Sequence, residues 1–204
     1  MIKIVDYGLG NVQAFLNIYK RQNIAASIAK TAADLHGSSR IILPGVGAFD
    51  HAMELLQQSG MRETLDQLVL SQGVPVLGVC VGMQILAACS EEGQMSGLGW
   101  IPGSVRQLKG NDKHQSLRLP HMGWNDLEPL RSSRLFAGLE KDARFYFLHS
   151  YYFECDSQDS ALAETDYGMR FVCAVHSGNI FGVQFHPEKS HQYGALLLKN
   201  FAEV

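Results

Sequence analysis

The sequence has little charge and no concentration of it: 17 Lys and Arg against 20 Asp and Glu in 204 residues, a formal charge of −3, and no basic run. That balance excludes the electrostatic footprint of a nucleic-acid binder or of a protein held on an anionic membrane. No apolar stretch approaches the roughly 20 residues needed to cross a bilayer. Cysteines are few, and the four, Cys80, Cys89, Cys155 and Cys173, form neither a CxxC pair nor a regular framework. They read as reduced thiols, and no disulfide or metal is needed to fold a chain of this length. No histidine stands at metal-ligand spacing with another His or Cys, so no metal and no cofactor is expected. The opening MIKIVDYGLGN carries no basic head, apolar core or cleavage site, and the expected location is the cytoplasm. No repeat, linker or low-complexity segment interrupts residues 1–204, which read as a single domain.

What is present is alternation. Strand-like runs at Ile2 to Val5, Ala25 to Ala29, Arg40 to Leu43 and Val74 to Val79 are separated by helical patterns. The helices are expected at about Asn11 to Arg21 (Val12, Phe15, Leu16 and Tyr19 inward), His51 to Gln58 and Arg62 to Leu70. Such alternation predicts a parallel sheet covered on both faces. In the second half, Gly103 to Leu108, Arg144 to Glu154, Phe171 to His176 and Ile180 to Phe185 are strand-like with partly antiparallel character, and His191 to Phe201 closes as a helix with Leu196, Leu197 and Phe201 inward. The fold class is α/β, a three-layer sandwich around a central, mainly parallel sheet. The polar stretch Lys109 to Gln115 is expected to be a surface loop.

Two segments carry chemistry. In Val74-Pro75-Val76-Leu77-Gly78-Val79-Cys80-Val81-Gly82-Met83-Gln84 a buried strand runs into a sharp turn and a helix start, with the thiol at the turn and glycines two before and two after. This is the pattern of a nucleophile elbow with Cys in place of Ser. A helix dipole and free backbone N–H groups then favour the thiolate. A small buried cysteine packed after a strand is the plain alternative on this motif alone. In Gly182-Val183-Gln184-Phe185-His186-Pro187-Glu188 the proline biases His186 toward extended backbone, and residues two apart in extended chain face the same side. His186 and Glu188 therefore suit a base and its orienter, completing a Cys-His-Glu relay with Cys80. Of the other histidines, His36, His51, His114, His176 and His191 read as loop or surface residues, and His121 and His149 as structural. Asp6-Tyr7-Gly8-Leu9-Gly10-Asn11 lacks the third glycine and the acidic residue of a dinucleotide fingerprint.

GVCVGMQ, GVQFHPEKS and PGVGAF (44–49), in this order and spacing, resemble the class I, or triad, glutamine amidotransferases. Within that class, DYGLGN, PHMGWN (120–125), FYFLHSYY (145–152) and HPEKS resemble the glutaminase subunits of imidazole glycerol phosphate synthases, and the likeness runs from Met1 to Val204. The resemblance implies that Cys80 attacks the side-chain amide of L-glutamine, with His186 as general base and acid and Glu188 orienting it. It puts glutamine binding on Gln84 and Glu92, and the oxyanion hole on Val81 with the Gly45, Val46, Gly47 strand end, which would also be a switch. Asn11, Trp124 and Lys189 become candidates for the interface with a separate (βα)8-barrel synthase subunit, in a heterodimer that passes ammonia to histidine biosynthesis. Val79 and Val81 depart from the family's usual GICLGMQ, and FLHSYYFEC is unusually aromatic. These features keep open a paralogue that supplies ammonia for amidino sugars. The glutaminase of pyridoxal phosphate synthesis, a non-catalytic relative and a cysteine peptidase fit less well.

Overall fold

A computed structural model describes residues 1–109 and 117–204. His114 and most of the polar stretch from 109 to 115 lie outside the described residues.

In the first half, strands β1 (Ile2–Val5), β2 (Ala26–Ala29), β3 (Arg40–Gly45) and β4 (Val76–Cys80) alternate with helices α1 (Val12–Arg21), α2 (Phe49–Gln58) and α3 (Arg62–Asp66). A one-turn helix, α4 (Val81–Gln84), follows β4 directly. The second half is strand-rich: β5 (Cys89–Ser90), β6 (Gly103–Gln107), β7 (His121–Asp126), β8 (Glu128–Pro129), β9 (Arg144–His149), β10 (Tyr151–Cys155), β11 (Ala161–Asp166), β12 (Arg170–Ser177) and β13 (Ile180–Val183). Helix α5 (His191–Glu203) ends it.

The main sheet has eight strands in the order β2-β1-β3-β4-β13-β12-β11-β8. The five from β2 to β13 are parallel, and β12, β11 and β8 are antiparallel additions. This is the expected α/β sheet with flanking helices. Its centre is apolar on both faces: every residue of β4 and β13 is buried, as are five of the six in β3. That is why these strands read as continuous apolar runs. Two small sheets, β10-β6-β5 and β7-β9, stand beyond the main one.

Local chemistry explains the helix limits. Asn11 caps α1 by accepting from the Ala14 N–H at 3.1 Å, and Lys20 and Arg21 sit in the last turn where cations suit the dipole. The buried face of α1 is Phe15, Ile18 and Tyr19, with Val12 and Leu16 half-buried, so the inward stripe is rotated from the expected one. On α5 the buried face runs through Gly194, Leu197, Leu198, Asn200 and Phe201, leaving Leu196 half-buried. The helix expected over Arg62 to Leu70 is α3 followed by a single π turn, Gln67–Ser71, closed by Gln72 N–H to the Gln67 carbonyl at 3.1 Å. The run expected as one strand from Arg144 to Glu154 breaks at Ser150: β9 pairs with β7, and β10 pairs with β6.

Candidate active site

The sharp turn after β4 is real and strained. Cys80 has φ +56° and ψ −113°, a region a non-glycine residue occupies only when the surrounding structure holds it there. What holds it is backbone-to-backbone contact. A Cβ on Gly82 would strike the Leu43 carbonyl oxygen, and one on Gly45 would lie 2.5 Å from the Gly82 nitrogen and 3.0 Å from the Val81 carbonyl carbon. The elbow therefore presses against the end of β3, and Gly45 pairs with Cys80 across the ladder. Because α4 has only four residues, its macrodipole is small. Cys80 gains the free N–H groups of a first turn rather than the field of a long helix.

Cys80 opens onto a cavity of about 280 Å³ lined by Val46, Gly47, Val81, Gln84, Glu92, Pro120, the Leu148–Tyr151 segment, His186 and Lys189. Gly45 stands one residue outside this lining. His186 lies on the segment after β13, where its N–H bonds the Tyr146 carbonyl at 2.8 Å and its carbonyl accepts from Ser190 Oγ at 2.6 Å. Its Nδ1 is 2.8 Å from Glu188 Oε1, both side chains being almost wholly buried, which leaves Nε2 for the thiol side. Burial alone would lower the His186 imidazole. Contact with Cys80 and with Glu188 outweighs it and raises the ring to about 10, so the imidazolium is favoured here. The three residues expected to act together are brought together at one cavity. Burial raises the other two perturbed thiols, Cys155 to about 12 and Cys173 higher still, so neither is a competing nucleophile.

Gln84 donates to the Tyr151 carbonyl at 2.9 Å and to Gln184 Oε1 at 3.1 Å, which leaves its own oxygen as the group it offers the cavity. Gln184 in turn points Nε2 at Cys80 Sγ, 3.8 Å away. Glu92 accepts from the Phe49 N–H at 2.9 Å, capping α2 while lining the cavity. Gly47 takes φ +91°, a left-handed conformation at the turn after β3. One contributor went unread in the sequence: Tyr7, in the DYGLGN loop, donates to the Pro44 carbonyl at 2.8 Å and so ties that loop to the strand end facing the thiol.

The three interface candidates lie on exposed surface. Asn11 is the α1 cap, Lys189 Nζ sits 5.6 Å over the Tyr146 ring, and Trp124, 41% exposed, stacks on His191 with ring centroids 5.1 Å apart. Met122, on the same face of β7 as Trp124, is 64% exposed, so this face of β7 presents apolar surface, with Met122 paired across the ladder to the cavity-lining Leu148. His121 and His149, expected to be structural, are buried and bonded to each other at 3.0 Å, but His149 also lines the cavity. Among the described residues no group of His, Cys, Asp and Glu is arranged to hold a metal ion, and no helix is long and apolar enough to cross a membrane.

Comparison with known proteins adds an independent line. The family model for glutamine amidotransferase class-I matches residues 2–204. The imidazole glycerol phosphate synthase subunit HisH of Bdellovibrio bacteriovorus is 60% identical over 204 residues, covering all of both chains, and that of Leptospira interrogans is 52% identical over the same span. Among solved structures, a glutamine amidotransferase superposes with a TM-score of 0.74 at 19% identity, covering 100% of this chain and 99% of the other. PurLQS from Thermotoga maritima gives 0.71 at 16%, covering 99% and 97%. These structural likenesses establish the fold, and the family match with the full-length identities establishes the lineage: the chain belongs to the class I glutamine amidotransferases.

Proposed function

We propose that this protein is the glutaminase subunit of an imidazole glycerol phosphate synthase, hydrolysing L-glutamine and delivering ammonia to histidine biosynthesis. The observation that carries the chemistry is the buried His186–Glu188 pair at 2.8 Å beside a thiol on a strained elbow, at a cavity sized for an amino acid. The full-length identity of 60% to a HisH subunit supports the pathway over the amidino-sugar and pyridoxal phosphate alternatives. We take residues 1–204 as one glutaminase domain.

In this reading the Cys80 thiolate attacks the side-chain carbonyl carbon of glutamine, forming a tetrahedral adduct whose oxygen is met by the Val81 N–H and by a donor from the Gly45 to Gly47 strand end. His186 gives its proton to the departing nitrogen, and the carbon–nitrogen bond breaks to leave a γ-glutamyl thioester and ammonia. Water, deprotonated by His186, then attacks the thioester. Glutamate leaves and the thiol is restored. Glu188 fixes the imidazole tautomer and stabilises the imidazolium. Gln84 Oε1 and the Glu92 carboxylate hold the substrate's α-ammonium.

Ammonia released to neutral water is mostly protonated and no longer nucleophilic. Synthesis therefore gains from release of ammonia directly against a second active site, and the proposed partner is a separate (βα)8-barrel synthase subunit, docked on the face carrying Met122, Trp124 and Lys189, with Asn11 a further candidate contact, in the cytoplasm. The test is glutamate release by the purified chain, alone and with the histidine-pathway barrel subunit and its ribonucleotide, against Cys80→Ala in the same mixture. The expected result is strong stimulation of the wild type and a loss of about 10⁴-fold or more in the variant, as for removal of a nucleophile elsewhere. Wild-type turnover by Cys80→Ala would end the triad assignment. A folded wild type that the barrel does not stimulate would end the pathway assignment.

A further inference from the structure

Behind the cavity wall formed by the Leu148–Tyr151 segment runs a file of polar side chains, most of which the steps above do not use. It begins on β7, where Asn125 Nδ2 donates to the Asp166 carbonyl at 2.8 Å and stands 3.4 Å from His121 Nε2. His121 Nδ1 is 3.0 Å from His149 Nε2, across the β7–β9 ladder in which the two residues are directly paired. His149 Nδ1 is 2.8 Å from the Tyr151 carbonyl, the same oxygen that takes the Gln84 amide. The file ends in the cavity, at Gln84.

Its proton pattern is forced. A carbonyl only accepts, so His149 Nδ1 must carry the hydrogen. In a neutral ring Nε2 then accepts from His121 Nδ1–H, and His121 Nε2 is left to accept from Asn125. A second proton on His149 would turn a donor against a donor. Packing fixes the ring planes as well: His121 lies between Phe147 and Tyr167, with centroids 4.7 and 4.1 Å away and planes tilted 21° from each. Burial pushes His121 down to about 4. Burial, together with the nearby His121 and His186, pushes His149 down to about 3, so the neutral pattern holds through the working pH range.

The Ser150 corner lies where β9 leaves the small β7–β9 sheet and β10 joins another. The Leu108 N–H holds the Ser150 carbonyl at 2.9 Å, and the next carbonyl, that of Tyr151, is held by the His149 ring on one side and met by the Gln84 amide. With Tyr151 fixed, one Gln84 N–H is spent on it and the other on Gln184, and the Gln84 oxygen is aimed into the cavity. We propose that His149, held by His121, is a positioning residue for the amino-acid end of glutamine: it sets the Ser150–Tyr151 corner and, through the Tyr151 carbonyl, the rotamer of Gln84. The inference rests on the glutaminase reading above and names a residue role within it.

A group that only seats the substrate's non-reacting end contributes equally to ground state and transition state, so its loss raises KM and spares kcat. The experiment is steady-state glutamine kinetics of the complex with its barrel subunit, with thermal unfolding alongside, for His149→Leu, His149→Asn and His121→Phe. Loss of one oriented hydrogen bond in His149→Leu should raise the glutamine KM about 10-fold with kcat changed less than about threefold. Asn places an amide N–H close to where Nδ1–H stood, so His149→Asn should return KM to within about threefold of wild type. His121→Phe keeps the aromatic sandwich, removes the bond that orients His149, and should raise KM about threefold. If His149→Leu does not fold, His121→Phe decides alone by the same KM criterion. An unchanged KM in folded His149→Leu or His121→Phe overturns the inference, as does equal impairment of the Leu and Asn variants in step with their melting temperatures. Inactive wild type would instead strike the glutaminase reading, so the two failures are separable.

Discussion

The nucleophile and its base reach the cavity by different routes. Cys80 is placed by a few residues of contiguous chain: one strand, one strained residue, and glycines that let the elbow lie against the end of β3. His186 is placed by the rest of the molecule. Its segment belongs to no regular ladder and is held by the Tyr146 carbonyl, by Ser190 Oγ and by an isolated bridge to β9. A locally determined group is intolerant, because a single methyl in the wrong place meets backbone that cannot yield. A group determined by many distant bonds degrades in steps, each worth one bond.

The sharpest way to break this contrast is Gly82→Ala. The new methyl would meet the Leu43 carbonyl and lie 3.1 Å from the Pro44 carbonyl carbon, both backbone atoms of a central strand. The expected cost is about 4 kcal/mol or more of unfolding free energy, read by denaturant titration, with glutamate release lost alongside. A cost below about 1 kcal/mol would mean that the elbow can move away from β3 and is not locked locally. The matching change on the other wall is Ser190→Ala. Ser190 Oγ donates to the His186 carbonyl at 2.6 Å and accepts from the Tyr146 N–H at 3.0 Å, so its removal strands a half-buried donor and a carbonyl that holds the base. About 1–3 kcal/mol of stability should go, with kcat falling and the glutamine KM kept, because the base shifts while the pocket does not. If Ser190→Ala proved costlier than Gly82→Ala, the contrast would be inverted.

The same division decides what the sequence could reveal. Strands β1, β3 and β4 were legible to within about two residues because both faces are buried and their apolar runs have no competing interpretation. Strands β7 and β11 were not. His121–Asp126 alternates through a glycine and two exposed apolar residues, and Ala161–Asp166 is too rich in alanine and acids to look extended. The motifs around Cys80 and His186 announced themselves because the elbow glycines and the His-Pro-Glu spacing are local requirements. His149 did not, since a histidine in an aromatic run says nothing of its cross-strand partner. The available signal was period two: Phe145, Phe147 and His149 share the buried face of β9, and His121 stands opposite the last of them. Its place on the cavity wall depends on the break at Ser150, which a single run of strand-forming residues conceals.

Protonation gives the smallest effect and a separate handle on each wall. Unfolded histidines titrate near 6.5, whereas folded His121 and His149 lie near 4 and 3. Between those limits the unfolded chain takes up protons that the folded one refuses, so this contribution to stability is complete above 6.5 and is lost as pH falls. His186 has the opposite sign. Raised to about 10 by Cys80 and Glu188 against the effect of burial, it stabilises the fold fully below 6.5, and that stabilisation disappears as pH rises toward 10. The melting temperature should therefore fall on both sides of a maximum near neutrality: His121 and His149, with His176 that burial also lowers, shape the acid limb, and His186, with the Cys155 and Cys173 thiols that burial raises, shapes the alkaline one. Between about pH 6.5 and 5, above the range where most carboxylates titrate, His121→Phe should flatten the acid limb and leave the alkaline one. Melting curves at three pH values for wild type and variant suffice to read this. An acid limb equally steep in both proteins would show that the paired imidazoles do not resist protonation, and that the second wall is held by its packing instead of by its file of neutral hydrogen bonds.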